Sequence, residues 1–234
     1  MSAFPFFVPA MFAIPLVFFA VLAVLVILVI IAIIGQRAAI KRRRDQLHTF
    51  AAARGFTFMA EDLLGLRDRM GVFALMRRGH SKKVRHVLIG DHGGRQIILF
   101  EYVYVTGGGK DSHTHTQYCC TWQAPAAVSR LMVRPEGFFD RIGDWFTGKD
   151  IDFPDDPAFS DAYVVSGDDE AEVRGLLTPA VREFAMRNSL ESLEMVGDLA
   201  LLYGRGGSLE VRRCEELLRL SEGLDRVLAG RGGA

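Results

Sequence analysis

Apolar side chains recur along this chain in three patterns. The first is unbroken: from Phe4 to Ile34 there is no charged residue, and Leu16–Ile34 (LVFFAVLAVLVILVIIAII) is almost wholly Leu, Ile, Val, Phe and Ala. About 20 apolar residues suffice for a helix to cross the hydrocarbon core of a bilayer, so the stretch predicts a transmembrane helix. Proline is tolerated in a first helical turn and disruptive further in, which puts the start between Pro9 and Pro15. A signal peptide would need basic residues ahead of a run of about 7–15 apolar positions and a small-residue cleavage site behind it. This chain opens MSAFPFF and its apolar run ends in a basic block, so the expectation is a retained anchor.

The second pattern is β. Phe56–Met59 reads as a short strand, Val84–Gly90 as a longer one, Asp91–Gly94 as a turn, and Arg95–Thr106 (RQIILFEYVYVT) as a long strand of β-branched and aromatic residues. Both faces of that last strand are apolar: Ile97, Leu99, Val103 and Val105 on one, Ile98, Phe100, Tyr102 and Tyr104 on the other. A strand of this kind is central and covered on both sides. Ser112–Gln123 reads as its partner, Leu131–Val133 and Tyr163–Ser166 as further strands, and Ser192–Val196 with Leu199–Tyr203 as a hairpin about Gly197-Asp198, a glycine-first turn.

The third pattern has helical period. Leu47, Phe50, Ala51 and Arg54 lie on one stripe ending at Gly55, and the membrane helix is expected to run into it. Phe138, Ile142, Trp145 and Phe146 form a stripe over Gly137–Phe146. Asp169 with Glu172 three residues on is a capping-box pattern opening a helix that Pro179 kinks or restarts behind Thr178. Cys214, Leu217, Leu218, Leu224 and Leu228 mark a closing helix. Hairpins with inserted helices give an α+β fold class: an N-terminal transmembrane helix followed by a mostly antiparallel sheet with packed helices. The domains are residues 1–36, the anchor; 37–55, a juxtamembrane basic helix; and 56–230, a cytosolic α+β domain.

Charge adds orientation. Arg37, Lys41, Arg42, Arg43 and Arg44 flank the apolar run on its C-terminal side only. Basic flanks stay in the cytoplasm, which predicts a single-pass protein of the inner (cytoplasmic) membrane, N-terminus out and C-terminal domain cytosolic. The same cations would sit among anionic headgroups. The 234 residues carry 28 Lys and Arg against 28 Asp and Glu, a balance that argues against a nucleic-acid partner. Cys119, Cys120 and Cys214 suggest no disulfide framework and fit a reducing compartment.

Candidate chemistry concentrates in Gly107–Cys120 (GGGKDSHTHTQYCC). As a phosphate loop it fails twice: Tyr104 stands where the first glycine belongs and Asp111 where Ser or Thr should hold magnesium. His113 and His115 alternate onto one strand face and are candidate metal ligands. Cys119 shares that face, but at about 3.3 Å per residue it stands roughly 13 Å from His115, so a third ligand would have to come from Glu101 or His92. Cys119 and Cys120 point to opposite faces and default to packing. Asp150, Asp152, Asp155 and Asp156 resemble the start of a calcium loop, except that Pro154 and Asp155 occupy positions needing a ligand and a glycine. Asp150 and Asp152 as an acid/base pair would need burial in a loop whose acidity argues for solvation. No serine-nucleophile elbow or dinucleotide fingerprint occurs, and no cofactor is expected.

Across the chain, Gly79-His80, Gly90, Phe100, Tyr102, Tyr104, Thr106-Gly107, Pro135-Glu136, Asp150-Ile151-Asp152-Phe153, Pro157, Phe159-Ser160, Tyr163, Gly167 and Arg174 carry a resemblance to an uncharacterised bacterial family of single-pass membrane proteins. The resemblance implies a bacterial source and a membrane-tethered domain, and supplies no activity or catalytic residue. The reading that follows is a non-enzymatic interaction or membrane-organisation module, with the lipid bilayer and a membrane or cytosolic protein as partners. Two alternatives stand beside it: a metal-assisted hydrolase using His113, His115, Asp150 and Asp152, and an anionic-lipid headgroup sensor using Lys41–Arg44.

Overall fold

The computed structural model describes residues 10–137 and 149–230, with side chains from Leu22 onward except those of Lys149 and Arg205. They group into two compact units, Met1–Asp45 and Gln46–Ala234, whose boundary falls inside the expected juxtamembrane segment. Helix α1 (Ala10–Ala53) begins between Pro9 and Pro15 and runs through the basic block without a break. The side chains of Leu22–Ile34 are exposed throughout. In the second unit its last turns bury Leu47, Phe50 and Ala51, and the chain leaves through Gly55, with the Phe56 amide donating to the Ala51 carbonyl at 2.8 Å.

The second unit is one antiparallel sheet with helices on both faces, the α+β class that the alternation of patterns predicts. In chain order come β1 (Thr57–Glu61), α2 (Leu66–Arg69), α3 (Ala74–Arg77), β2 (His80–His92), β3 (Arg95–Thr106), a 3-10 turn at Gly109–Asp111, β4 (His113–Pro135), β5 (Lys149–Asp150), α4 (Pro157–Ala162), β6 (Tyr163–Gly167), α5 (Glu170–Leu176), α6 (Pro179–Arg187), β7 (Leu193–Arg205) and α7 (Val211–Leu228). The strands run β1-β2-β3-β4-β6-β5, with β7 paired to β4. Gly93 (φ 62°) and Gly94 (φ 78°) turn β2 into β3; two successive left-handed residues are what a two-residue turn of this twist requires, and glycine adopts them without a Cβ clash. The turn is tighter than expected, because Asp91 and His92 still pair with Gln96 and Arg95.

Strands β4 and β7 are each longer than the pattern suggests. The Tyr203 amide donates to the Ser192 carbonyl at 3.1 Å. Eleven residues of straight strand would separate the two by about 36 Å, so β7 folds back on itself at Gly197 (φ 61°) and Asp198, the hairpin position read from the sequence. Its two arms pair with opposite ends of β4, Leu199–Arg205 with Gln117–Gln123 and Leu193–Met195 with Leu131–Val133. Because both pairings are antiparallel, β4 also reverses, through 124–127. Leu131–Val133, read from the sequence as a further strand, is the returning arm of β4, and the β7 hairpin lies inside the wider β4 one.

Two cores follow from the alternation along β3. Ile97 and Leu99 join the end of α1, α4–α7, Trp122, Cys120 and Leu202 on the first face. Ile98, Phe100, Tyr102 and Tyr104 join Leu66, Met70, Phe73, Leu75, Met76, Cys119, Leu201 and Tyr203 on the second. On the first face, Asp169 caps α5 through the amides of Ala171 (2.8 Å) and Glu172 (3.0 Å). The capping box is half formed, for the Glu172 carboxylate reaches the Ser129 amide and hydroxyl instead. Helix α6 restarts at Pro179 behind Thr178, whose side chain makes no capping bond. The segment after Asp150, read as a loop, contains α4, started by Asp156 accepting from the Phe159 amide with Pro157 in the first turn. The helix expected over Gly137–Phe146 lies outside the described residues.

Candidate functional site

The histidine pair sits at the start of β4. His113 is exposed opposite Thr106. His115 is half-buried, stacks on the Tyr104 ring at 4.9 Å, and places Nε2 2.7 Å from the Thr106 hydroxyl. Burial, then the charges of Arg78 and His113, lower its pKa below the usual histidine range. Neither proposed third ligand is at hand. Glu101 lies beneath the sheet in its own network, and His92 faces Glu222 with Nε2 at 3.6 Å. Among the described residues no three His, Cys, Asp or Glu side chains are grouped to hold a metal.

Asp150 and Asp152 are exposed while Ile151 between them and Phe153 after them are buried, an alternation that keeps the carboxylates in water. Asp150 pairs with Ser166 of β6, and β6 pairs with the returning arm of β4. Counting through the nested hairpins, five strand spacings separate the arm bearing His115 from β5, about 24 Å at 4.8 Å each. Their neighbours Asp155 and Asp156 are not free solvated charges. Both accept from the buried guanidinium of Arg182, at 2.6 Å and 3.0 Å, and that group also donates to the Leu177 carbonyl and lies over the Phe153 ring. This acidic loop clamps a helix.

Cys119 and Cys120 occupy opposite faces, as the strand period requires, and are fully buried with Cys214 as free thiols. Burial pushes all three thiols up, Cys214 to about 12, which leaves them protonated and unreactive near neutrality. The basic flank Arg37, Lys41, Arg42 and Arg44 is exposed on α1, with Arg43 half-buried.

What pattern reading missed is a set of buried charges. Glu101, on the first face, accepts from the Arg85 guanidinium and, at 2.9 Å, from the Leu209 amide, with His86 Nδ1 3.7 Å away. Burial opposes its ionisation, yet His86, Arg85 and Leu209 together bring its pKa down to about 2. His86 holds this position with φ 52° at an irregularity in the β2–β3 register. Glu194, on the second face, accepts from the Ala74 and Leu75 amides at 2.6 Å and 3.0 Å and from the Tyr203 hydroxyl at 2.9 Å. Here burial prevails and the pKa is raised. At the other end of the sheet, a groove of about 730 Å³ lies between Arg69, Met70, Arg95, Trp122, Asp198 and Asp225. Asp225 accepts from Arg95 and from Trp122 Nε1, and burial still raises its pKa. The one signal available in the sequence was a charged residue at an apolar position of a strand.

No family model matches the sequence, and no curated protein does. Among solved structures the fold is similar to that of a mycobacterial trehalose monomycolate transport factor, TtfA. The TM-score is 0.54 at 15% sequence identity, covering 79% of this chain and 93% of that one, a likeness of fold.

Proposed function

We propose that this protein is a membrane-anchored module that works through contacts with lipid and protein rather than by catalysis, held at the cytosolic face of a bacterial inner membrane by α1. The observation that carries the reading is the surface of α1: a window of mean hydropathy 2.6, with none of it buried inside the protein. Twelve large apolar side chains from Leu22 to Ile40 are exposed. Leaving them in water would cost roughly 20 kcal/mol at about 1.5–3 kcal/mol each, so a lipid environment is their natural complement. The basic block directs the helix with its C-terminal end inward. The similar fold of a protein described as a transport factor supports an accessory role at a membrane, with the cargo left open. The hydrolase alternative loses its motivation, because His115 and Asp150 stand on strands about 24 Å apart and its two carboxylates are exposed.

Fractionation tests the reading. A C-terminally tagged full chain is expected in the membrane pellet after alkaline extraction, with its N-terminal sequence intact and its tag protected from protease until the inner membrane is opened. Recovery in the soluble fraction, or a mature N-terminus beyond residue 34, would remove the anchor. A tag digested in intact spheroplasts would reverse the orientation.

A further inference from the structure

The segment covering the second face of the sheet has an inside and an outside of different character. Leu66, Met70, Phe73, Leu75 and Met76 turn inward to the core, while Arg67, Arg69 and Arg77 are exposed. Residues 62–83 carry six Lys and Arg against two Asp and Glu, whereas the rest of 46–234 carries 17 against 25. The domain is therefore electrically lopsided, with its positive end here. Apolar exposure falls in the same place: of the three large hydrophobic side chains exposed in the described part of this unit, Leu63 (76%) and Val72 (38%) belong to the segment. Single exposed hydrophobics are ordinary; two of three on the one basic segment are a combination that suits the headgroup region of a bilayer.

The surface is also preorganised. Asp62 accepts from the amides of Leu66 (2.8 Å) and Arg67 (3.0 Å), Arg77 Nε donates to the Gly71 carbonyl, Lys82 to the Arg77 carbonyl, and Glu194 holds the start of α3 from within. Asp68 pairs with Arg67. Arg69, Arg77 and Lys82 have no carboxylate partner among the described residues.

We propose that the outer surface of 62–82 docks on an anionic lipid bilayer, with Arg69, Arg77 and Lys82 against the headgroups and Leu63 beside them. The inference rests on the reading of α1 as an anchor: a tethered domain with a radius of gyration of about 16 Å never leaves the reach of the membrane. Each basic side chain near an anionic surface multiplies the bound-to-free ratio about five-fold, so three give about a hundred-fold, a gain that salt screens.

The test uses the full chain carrying Leu63→Cys labelled with an environment-sensitive dye, which the three buried native thiols do not compete for. It is reconstituted in vesicles of phosphatidylcholine alone or with phosphatidylglycerol. Flotation with both vesicles is expected, together with a blue shift and protection from an aqueous quencher only where phosphatidylglycerol is present. High salt should reverse the shift, and Arg69→Glu with Arg77→Glu should weaken docking at least about 25-fold with the circular dichroism unchanged. A chain that floats with both vesicles while the dye reads the same in each overturns the docking and leaves the anchor. A chain that fails to float with phosphatidylcholine overturns the anchor, while a dye response to phosphatidylglycerol vesicles in the same sample still upholds the docking. A dye shift seen only after adding membrane-protein extract overturns the proposal in favour of a protein partner.

Discussion

The two faces of the sheet are covered by different means, and each hides one glutamate. The first face carries α4–α7, including the 18-residue α7 with its own apolar stripe. The second is covered in the described residues by α2 and α3, one turn each, too short to be stable helices on their own. They stay in place because Asp62 and Glu194 supply the acceptors their amides lack. Glu101 and Glu194 are equally buried, but Glu101 faces a guanidinium and Glu194 mainly neutral donors. Burial is the largest influence on both; at Glu101 the His86 hydrogen bond, the Arg85 hydrogen bond and charge, and the Leu209 amide together outweigh it, and at Glu194 the neutral donors do not. Hydrogen bonds favour the ionised form of a buried carboxylate, and at Glu101 a guanidinium charge adds to them.

The largest effect is expected from Glu194→Ala. It strips the acceptor from two buried amides and a buried hydroxyl, each costing about 1–3 kcal/mol when left unmet, so stability should fall by about 4 kcal/mol in urea. The loss should be local, with amides 66–77 exchanging faster and those of α7 unchanged. Glu194→Gln keeps one carbonyl acceptor and should lose about half as much. Uniform acceleration across the domain would show that the second face is not a separately latched layer.

The comparison sharpens with pH. Glu101 has a folded pKa of about 2 against an ordinary value of 4.5. Its contribution is complete above pH 4.5 and lost as pH falls toward 2, about 3 kcal/mol in all. Glu194 runs the other way: its raised pKa favours the folded state at low pH, and that advantage disappears as pH rises from 4.5 through the folded value. Glu101→Gln should flatten the acid limb of a stability–pH curve, and Glu194→Gln should remove a decline above it. The same slope lost from both variants would mean that the two carboxyls share one environment.

Much of this architecture is written in side-chain period. The two-sided stripe of Arg95–Thr106 predicts a covered central strand and the opposite faces of Cys119 and Cys120, and the stripe of α7 predicts its buried side. What period cannot carry is the partner of a charged residue. Glu101 sits in RQIILFEYVYVT as an interruption of an apolar face; Arg85 meets it as its cross-strand partner, and His86 reaches it at the irregularity that follows. Arg182 and the aspartates that hold it are 26 and 27 residues apart, and helix α4 depends on Asp156 acting at once as cap and ion-pair partner. The His113–His115 spacing gave a correct shared face, but a shared face fixes no third ligand, and Thr106 on the neighbouring strand takes the His115 nitrogen.

The smallest expected effect isolates the first face. Asp169 starts α5 by accepting two amide hydrogens at an exposed helix end, where water replaces a lost acceptor without desolvation. Asp169→Ala should therefore cost about 1 kcal/mol, against about 4 kcal/mol for the buried cap at α3, although both carboxylates perform the same local task. Val173, Leu177 and Val181 keep α5 and α6 packed whatever the cap does, so exchange within α5 should rise only in its first turn. A cost near that of Glu194→Ala, or exchange spreading into α6 and α7, would mean that the first face also depends on single acceptors, and the contrast between a packed layer and a latched one would disappear.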